Sequence, residues 1–440
     1  IQRGFDPISV QKASFDHPMS SRKRRKMIRY KPNKTLVPLT PADINEAGFQ
    51  WEIDPTVITW DGGNGTSSAW HLVDGELHYF MLPNVRVPVT GYSMNGDVTT
   101  IGLNEMVYAD VAAGRFAIGD NVWEQSKYPP ETFVNSEERY GSEIHVFMLL
   151  CLLAALNAPE DTPLTIVTSA PPGLVNSVAK TIKKNLKYGE AKDKSGIWTI
   201  QMSYDKKPRT FIIGKVIVVP EGVGAFSAYA YDANGNDVLI PSSDGRDDLL
   251  TGQVHIHDAG HGTYDTYVVR NGKLDAESMA FATDRDAGVM RQMIEPVMDY
   301  IRDQFAKAGE TAPRMKPVQV DGWLREWSLG KMRSNHARVK LNGRILDLQA
   351  IFELVSARYA RYIIEEKLER SFQQGADSIL LAGGGWVYIL PQILKQYPSK
   401  NILHPDVVTH LKGIPLWELN AYGALPMSAS NKKIHRKVTR

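Results

Sequence analysis

The chain has 440 residues, of which 43% are hydrophobic and 23% charged, a composition typical of a globular protein with two or more domains. Its formal net charge of +2 gives no general indication of nucleic-acid binding. A single cysteine, Cys151, excludes a disulfide framework and a cysteine-rich metal site. It lies in the apolar run Val146–Leu156, which is too short to span a bilayer and is predicted to pack in a core. The sequence shows no secretory signal, so a cytoplasmic location without membrane association is expected.

The two ends of the sequence differ from the rest. Residues 22–26 form a run of arginine and lysine, and no acidic residue appears between Pro18 and Ala42. The tail around Lys432–Lys437 has the same basic character. Residues 1–50 and 428–440 are therefore predicted to be arms that do not fold alone. Three interpretations remain open: salt-dependent contact with DNA phosphates, solvated tails that maintain solubility, and contact with an acidic neighbour in a polymer.

Strand and helix patterns alternate between these arms, which predicts an α/β protein. Asp74-Gly75 is a tight-hairpin signal, Asn271-Gly272 ends a later strand, and Gly375 is predicted to cap a long helix. In chain order, the predicted strands are Thr56–Asp61, Ser68–Val73, Glu76–Leu82, Leu164–Thr168, Gly196–Tyr204, Thr210–Val219, Gln253–Asp258, Thr263–Arg270 and Ser378–Ala382. The predicted helices are Glu143–Leu156, Leu174–Leu186, Asp286–Ala308 and Asp347–Gln374, and residues 232–252 are predicted to form a surface loop.

Three of the predicted strands run into glycine-rich turns. Glycines let backbone amides approach a phosphate closely, and neighbouring hydroxyls can donate to it. In the third turn, the glycines would let a base or a ribose lie against the backbone. The first turn contains Asp61, Gly62, Gly63, Asn64, Gly65, Thr66 and Ser67; the second contains Asp258, Gly260, His261, Gly262, Thr263 and Asp265; the third contains Gly383, Gly384 and Gly385.

Each turn alone is a weak signal, because a strand that ends in Asp-Gly is more often a simple turn. Together, two similar hairpins from two similar domains can hold a polyphosphate from opposite sides. Asp61 and Asp258 would then face each other and hold Mg²⁺, largely through water, since Mg²⁺ keeps most of its hydration shell.

The three segments together resemble the actin, sugar-kinase and heat-shock-chaperone ATPase superfamily, over roughly residues 54–427. Asp61–Ser68 resembles its first phosphate loop and Ala382–Gly385 its adenosine motif. Asp258–Asp265 resembles its second phosphate loop, with the Asp-x-Gly-x-Gly-Thr-x-Asp pattern complete. This resemblance implies a two-domain actin-like (ribonuclease-H-like) fold. It places ATP or GTP with Mg²⁺ in a cleft between a first domain at 51–220 and a second at 221–427.

The chain most resembles the plasmid-segregating actins of the ParM type, in which a strand ending in Met-Pro-Glu supplies the glutamate that positions the attacking water. Val219-Pro220-Glu221 occupies the matching place, so Glu221 is implied to orient or activate that water. The residues alone fit equally well the first turn of a helix, with proline at its start and glutamate favoured by the dipole. Gly288 resembles the glycine beside the ribose and phosphates, and a simple helix-start glycine is its alternative.

The sequence departs from the superfamily pattern at Ser67-Ser68-Ala69, where many actins carry a lysine at the end of the first phosphate loop. A missing lysine removes one cation from the β-phosphate, so weaker nucleotide affinity or compensation from elsewhere is expected. His261 is a candidate donor to the nucleotide, although a solvated loop histidine is an alternative interpretation.

The resemblance also suggests a function. It implies an ATPase in which Asp61, Asp258 and Glu221 are catalytic, and which polymerises into filaments of identical subunits. It further implies DNA segregation with a DNA-binding adaptor as partner. Two alternatives remain: a small-molecule kinase of the same superfamily, and a nucleotide-binding scaffold that does not hydrolyse ATP and carries its basic arms to DNA.

Overall fold

The computed structural model describes residues 54–426 with internal gaps, the longest at 90–106, 123–130 and 241–249. The two predicted arms, Asn64 and the Asp74-Gly75 turn lie outside the described residues. The strands are β1 (Val57–Gly62), β2 (Thr66–Val73), β3 (Glu76–Pro83), β4 (Val85–Pro88), β5 (Val107–Val111), β6 (Gly114–Ile118), β7 (Glu131–Thr132), β8 (Pro163–Ala170), β9 (Ile197–Met202), β10 (Arg209–Pro220), β11 (Gln253–Ala259), β12 (Tyr264–Arg270), β13 (Lys273–Leu274), β14 (Thr283–Asp284), β15 (Arg338–Leu341), β16 (Arg344–Asp347), β17 (Ser378–Ala382) and β18 (Ile402–Leu403). The α-helices are α1 (Glu143–Ala155), α2 (Val175–Tyr188), α3 (Val223–Ala230), α4 (Glu295–Lys307), α5 (Pro317–Ser328), α6 (Gln349–Ile363), α7 (Glu369–Gln373) and α8 (Leu390–Gln396).

The strands form two large sheets that share one plan. In the first sheet, the consecutive neighbours β3-β2-β1-β8-β10 consist of an antiparallel hairpin beside a run of parallel strands. In the second sheet, β13-β12-β11-β17-β18 repeat that order and those directions. In such sheets, ligands bind beyond the carboxyl ends of the parallel strands. Asp61 and Asp258 lie close to those ends of β1 and β11.

All the predicted strands and helices are present, with ends shifted by a few residues. The short strands β4 to β7 were not predicted. They are paired mainly with one another, and β5 also pairs with β9. β5 and β6 form a tight hairpin, whereas the pairings of β4 with β6 and β7 and of β5 with β9 join segments farther apart in the sequence, so this part of the sheet depends on tertiary packing as well as on local propensity.

Helix α1 lies in the core of the part that contains the first sheet. Ser142 caps its start, where the Ser142 hydroxyl accepts a hydrogen bond from His145 N at 3.4 Å. Asn157 follows its end with a positive φ of 51°, as predicted for the residue that terminates this helix. Cys151 is fully buried in the helix among leucines, so its predicted role as a small core residue is confirmed.

Each of the two long predicted helices contains one π-helical segment: Met290–Ile294 begins the first helix, directly before α4, and Ile364–Leu368 joins α6 to α7 in the second. Sequence periodicity cannot distinguish such segments from continuous α-helix. Gly375 has a φ of +84° just past α7, so its predicted role as helix cap is confirmed. In the predicted loop 232–252, Ile240 and Leu250 are buried, so this segment packs against the protein on both sides of the gap at 241–249. None of the helices in the described part of the chain combines the length and apolar character that a membrane span requires.

Candidate functional site

The first predicted phosphate loop is the turn between β1 and β2. Asp61 pairs with Ser68 across this hairpin, and Ser67 is buried opposite Gly62. Asn84, which sequence reasoning missed, supports the turn: its backbone amide donates to Gly65 O at 3.0 Å and its side-chain amide donates to Gly63 O. These two bonds fix the carbonyl groups of Gly63 and Gly65 in the turn.

The second predicted phosphate loop is the turn between β11 and β12. Gly260 N donates to Thr263 O at 2.9 Å and closes the turn. Asp258 and Asp265 lie opposite each other in the hairpin register. The hydroxyl groups of Thr263 and Thr283 donate to the two carboxylate oxygens of Asp265 at 2.9 and 2.6 Å. Asp265 therefore fixes the loop from within the protein.

The two loops meet at Gly65 and His261. A Cβ atom on Gly65 would lie 3.1 Å from His261 Nδ1, so a larger residue there would collide with the ring. The same nitrogen lies 3.8 Å from the Asp321 carboxylate. Burial lowers the pKa of His261, and the Asp321 charge opposes that change. The interpretation of His261 as a solvated loop histidine is therefore wrong: the ring packs between the loops, in a place that its sequence neighbours cannot reveal.

Four carboxyl groups gather behind the loops. Asp258 and Asp265 are buried, and Asp61 and Glu221 are half-buried. Burial, together with the Asp258 charge, raises the pKa of Asp61 to about 7, and burial raises the pKa of Asp258 to about 6. Burial raises the pKa of Asp265 to about 7 and that of Glu221 well above its ordinary value, with a further rise from the charges of the neighbouring acids. This is a site where negative charge is concentrated and a cation would be stabilised.

Glu221 occupies a tight turn between β10 and α3. Its backbone amide donates to Ala170 O at 2.8 Å. The next residue, Gly222, has a φ of +81°, and a Cβ atom there would lie 2.0 Å from the Tyr267 ring. Helix α3 begins only at Val223. The alternative interpretation of Glu221 as a first-turn helix residue is therefore wrong, because Glu221 precedes the helix.

Asn420 links this turn to the second loop and was missed by sequence reasoning. Its side-chain oxygen accepts hydrogen bonds from Gly222 N at 3.0 Å and Ala225 N at 3.3 Å. Its side-chain nitrogen donates to Asp258 Oδ2 at 2.6 Å. One amide group thus caps α3 and fixes the orientation of the Asp258 carboxylate. A single asparagine near the end of the sequence gives no motif from which this role could be predicted.

An Asn420→Asp substitution tests that link. The carboxylate still accepts from Gly222 and Ala225, but it cannot donate to Asp258 and brings a second negative charge against it. We expect a loss of roughly 1–3 kcal/mol in the free energy of unfolding, measured by urea denaturation at pH 8. Asn401→Asp is the matched control, because Asn401 donates only to the backbone oxygen of Asp377. Equal losses in the two variants would contradict the role assigned to Asn420.

The predicted adenosine glycines pack closely against the second loop. Gly383 has a φ of +91°, and a Cβ atom there would lie 2.2 Å from Asp258 Oδ1. A Cβ atom on Gly385 would lie 2.9 Å from Ala259. A Cβ atom on Gly384 would instead lie 3.6 Å from Trp417 and 3.7 Å from the Arg325 guanidinium, which itself lies over the Trp417 ring. Two of the three glycines are thus required by internal packing.

Gly288 lies where the chain enters the first π-helical segment. A Cβ atom there would lie 2.5 Å from the carbonyl carbon of Gly262 and 2.7 Å from Thr263 N. The backbone amide of Met290 donates to His261 O at 2.8 Å. The structure therefore brings Gly288 against the second loop. A simple helix-start glycine would not explain this close approach.

A buried carboxyl joins the chain's last described segment to the first sheet. Trp70 Nε1 on β2 donates to Glu418 Oε2 at 2.8 Å, and the Trp70 ring also lies 5.4 Å from the Tyr422 ring. Burial raises the pKa of Glu418 to about 8, although hydrogen bonds from Trp70 and Ser68 oppose the rise. The neutral carboxyl is therefore the form that the fold favours.

This raised pKa predicts a pH-dependent stability. The folded state keeps a proton that the unfolded state releases above the ordinary value of 4.5, so the contribution of Glu418 to stability falls as pH rises from about 4.5 to about 8. The Glu418→Gln amide cannot ionise, so this variant should lose less stability than the wild type between pH 5 and pH 8 in urea titrations. The exposed Glu310→Gln variant is the control and should follow the wild type. Parallel profiles for Glu418→Gln and wild type would rule out the prediction.

No protein-family model and no curated protein sequence matches the chain. Solved structures do match it. A non-polymerisable quadruple mutant of pCBH ParM matches 86% of this chain and 99% of its own, with a TM-score of 0.58 and 17% identity. ParM of Bacillus thuringiensis with ATP matches 86% and 98%, with a TM-score of 0.55 and 15% identity. The archaeal actin homologue Ta0583 matches 86% and 99%, with a TM-score of 0.55 and 16% identity. The chain therefore has the two-domain actin-like fold, in a form resembling that of the ParM proteins.

Proposed function

We propose that this chain binds Mg-ATP between its two glycine-rich loops, hydrolyses it slowly, and assembles into filaments of identical subunits. The observation that carries the proposal is the meeting of the two loops at Gly65 and His261, with carboxyl groups from both hairpins behind them. Two structural neighbours support it by their own properties. One is a ParM with ATP, and the other is a ParM mutant described as non-polymerisable.

Different residues of the site would bind the phosphates and orient the attacking water. Backbone amides of the two turns and the Thr66 hydroxyl would donate to the phosphates, and Thr263 would contribute its backbone amide because its hydroxyl donates to Asp265. Glu221 would accept a hydrogen bond from the attacking water and orient it towards the terminal phosphate. The Glu221 backbone is bonded to Ala170 O and the neighbouring Gly222 packs on Tyr267, so the backbone that carries this carboxylate is positioned before the nucleotide binds.

Asp61 and Asp258 are the residues that would hold Mg²⁺. The Asp258 charge contributes to the raised pKa of Asp61, so a cation between these two residues would stabilise the ionised form of Asp61. No group of three or more metal-ligating side chains converges anywhere among the described residues. Two carboxylates, Asp61 and Asp258, fit a hydrated Mg²⁺, because this ion keeps most of its water ligands and needs few protein groups. When bound, Mg²⁺ would neutralise charge on the phosphates.

The proposed partners are further copies of the same chain and a DNA-binding adaptor. The proposed role of the filament is the segregation of plasmid or other DNA. Head-to-tail assembly of identical subunits gives an open helical polymer. ATP would favour the domain arrangement that polymerises, and hydrolysis would release it. GTP is the competing nucleotide, since the predicted base site consists mainly of backbone.

Sedimentation of the purified protein with Mg-ATP, Mg-ADP or no nucleotide tests the proposal, with phosphate release followed in the same tubes. We expect a pellet with ATP alone and phosphate release as the polymer forms. Hydrolysis without a pellet would contradict filament formation and favour a small-molecule kinase, to be sought with sugar and acid acceptors. The absence of both hydrolysis and nucleotide binding would contradict the whole proposal.

A further inference from the structure

The segment that carries Arg139 is fixed against the first phosphate loop. Arg139 ends a short 3-10 turn, Glu137–Arg139, that directly precedes α1. Two residues later, Gly141 N donates to His145 Nδ1 at 3.1 Å. The His145 ring lies 4.2 Å from the Trp60 ring on β1, and a Cβ atom on Gly62 would lie 2.5 Å from His145 Nε2. The position of Arg139 is thus tied to that of the loop.

The Arg139 guanidinium is a buried cation without an ion-pair partner among the described residues. Only 6% of the residue is exposed. Its guanidinium lies 4.4 Å from the centre of the Tyr140 ring and donates to the Tyr140 hydroxyl, while its Nε has no hydrogen-bond partner. In the part of the chain that the structure describes, no carboxylate lies within ion-pair distance of it. A buried charge without an ion-pair partner is costly, and an anionic ligand in contact with the guanidinium would reduce that cost.

The charge of Arg139 acts on groups from both halves of the site. It opposes the rise in the pKa of Asp61 at the first loop and in that of Asp265 in the second hairpin. It also opposes the rise in the pKa of Glu221 and adds to the lowering of the pKa of His261, which packs between the loops. A side chain that affects all of these groups stands near the place where the loops meet. The first loop itself has Ser67-Ser68-Ala69 and supplies no cation.

We propose that the Arg139 guanidinium binds the terminal phosphates of the nucleotide and replaces the lysine that the first loop lacks. This inference rests on the proposed nucleotide binding and adds a residue outside both loops to that site. A planar guanidinium offers parallel N–H donors that match two phosphate oxygens, and it keeps its charge when buried. The unpaired Nε of Arg139 is suited to such a contact.

Calorimetric titration of the full chain with ATP, ADP and AMP, in the presence of Mg²⁺, tests the proposal. For Arg139→Gln, we expect ATP affinity to fall by roughly 10- to 100-fold, ADP affinity to fall less, and AMP affinity to stay unchanged. Arg139→Lys keeps the charge and should recover part of the ATP affinity. The control is Arg209→Gln, which removes another partly buried arginine that packs near an aromatic ring but pairs with Glu160, and it should bind all three nucleotides as the wild type does.

The outcomes separate the two proposals. Loss of equal size for ATP, ADP and AMP in Arg139→Gln would mean a purely structural role and would overturn the inference. Unchanged ATP affinity in Arg139→Gln, beside a wild type that binds ATP, would overturn it alone. A wild type that binds no nucleotide would overturn the proposed function, and this inference with it. If Arg139→Gln does not fold, Arg139→Lys decides, because a phosphate contact predicts that ATP affinity falls more than AMP affinity.

Discussion

Glu221→Gln is expected to abolish most of the ATP hydrolysis while leaving ATP binding intact. The amide keeps the shape of the side chain but is a far weaker acceptor for a proton of the attacking water. Loss of a positioned acid–base group lowers turnover by about 10²- to 10⁴-fold. Because Glu221 precedes α3, its backbone amide is bonded to Ala170 O and the neighbouring Gly222 packs on Tyr267, the turn should keep its conformation. Phosphate release and nucleotide affinity, measured on the same preparation, check both halves of this prediction.

The control for Glu221→Gln is the same substitution at exposed Glu310, which should leave turnover unchanged. If ATP is also the switch for assembly, Glu221→Gln should pellet with Mg-ATP and remain assembled longer than the wild type. Turnover at the wild-type level in Glu221→Gln would remove this residue from the mechanism. Loss of binding together with turnover would instead mean that the side chain supports the cleft.

Gly383→Ala is expected to displace the second phosphate loop and to destabilise the protein. The new methyl group would lie 2.2 Å from Asp258 Oδ1 and 2.6 Å from the backbone oxygen of Ala259. Neither group can move freely, because Asp258 is bonded to Asn420 and Ala259 belongs to β11. Backbone strain and overpacking together should cost roughly 2–4 kcal/mol. Urea denaturation measures this loss, and calorimetry should show weakened ATP binding.

Gly375→Ala is the matched control for Gly383→Ala. Both glycines have positive φ, at +84° and +91°, but a Cβ atom on Gly375 would meet nothing within 4 Å. The control therefore carries the left-handed strain alone, about 1 kcal/mol, without a collision. Gly375→Ala should bind ATP as the wild type does. Equal destabilisation by the two substitutions would contradict the close packing of Gly383 on the second loop.

Those parts of the fold that depend on local sequence were predictable. Short β-branched and apolar runs, some of them next to Asp-Gly or Asn-Gly turn signals, identified β1, β2, β11 and β12, and the helical spacing identified α6. Asp61 and Asp258 were found because each follows a recognisable strand and precedes glycines. Two loops that are similar in sequence also predicted two similar sheets, and the repeated strand order confirms this. The nucleotide-binding roles of their residues stay predictions.

Other parts of the site could not be predicted, because they depend on single side chains brought together over long distances. Asn420 contacts Asp258 across 162 positions, and Trp70 contacts Glu418 across 348 positions. Nothing near Arg139 or Asn420 in the sequence distinguishes them from ordinary surface residues. The burial of His261 depends on Gly65 and Asp321, which come from two other segments. Such contacts become visible only when the tertiary structure is known.

The bond between Trp70 and Glu418 has a consequence for the order in which the protein matures. The β1–β2 hairpin leaves the ribosome long before Glu418, Asn420 and Tyr422, since 348 positions separate Trp70 from Glu418. A nascent chain can form most of its first sheet, yet Gly222 and Asp258 lack their shared amide partner until then. Nucleotide should therefore be captured only after Asn420 has emerged from the ribosome. Chains released by stop codons before residue 416 should leave Trp70 uncovered and become substrates for chaperones and proteases.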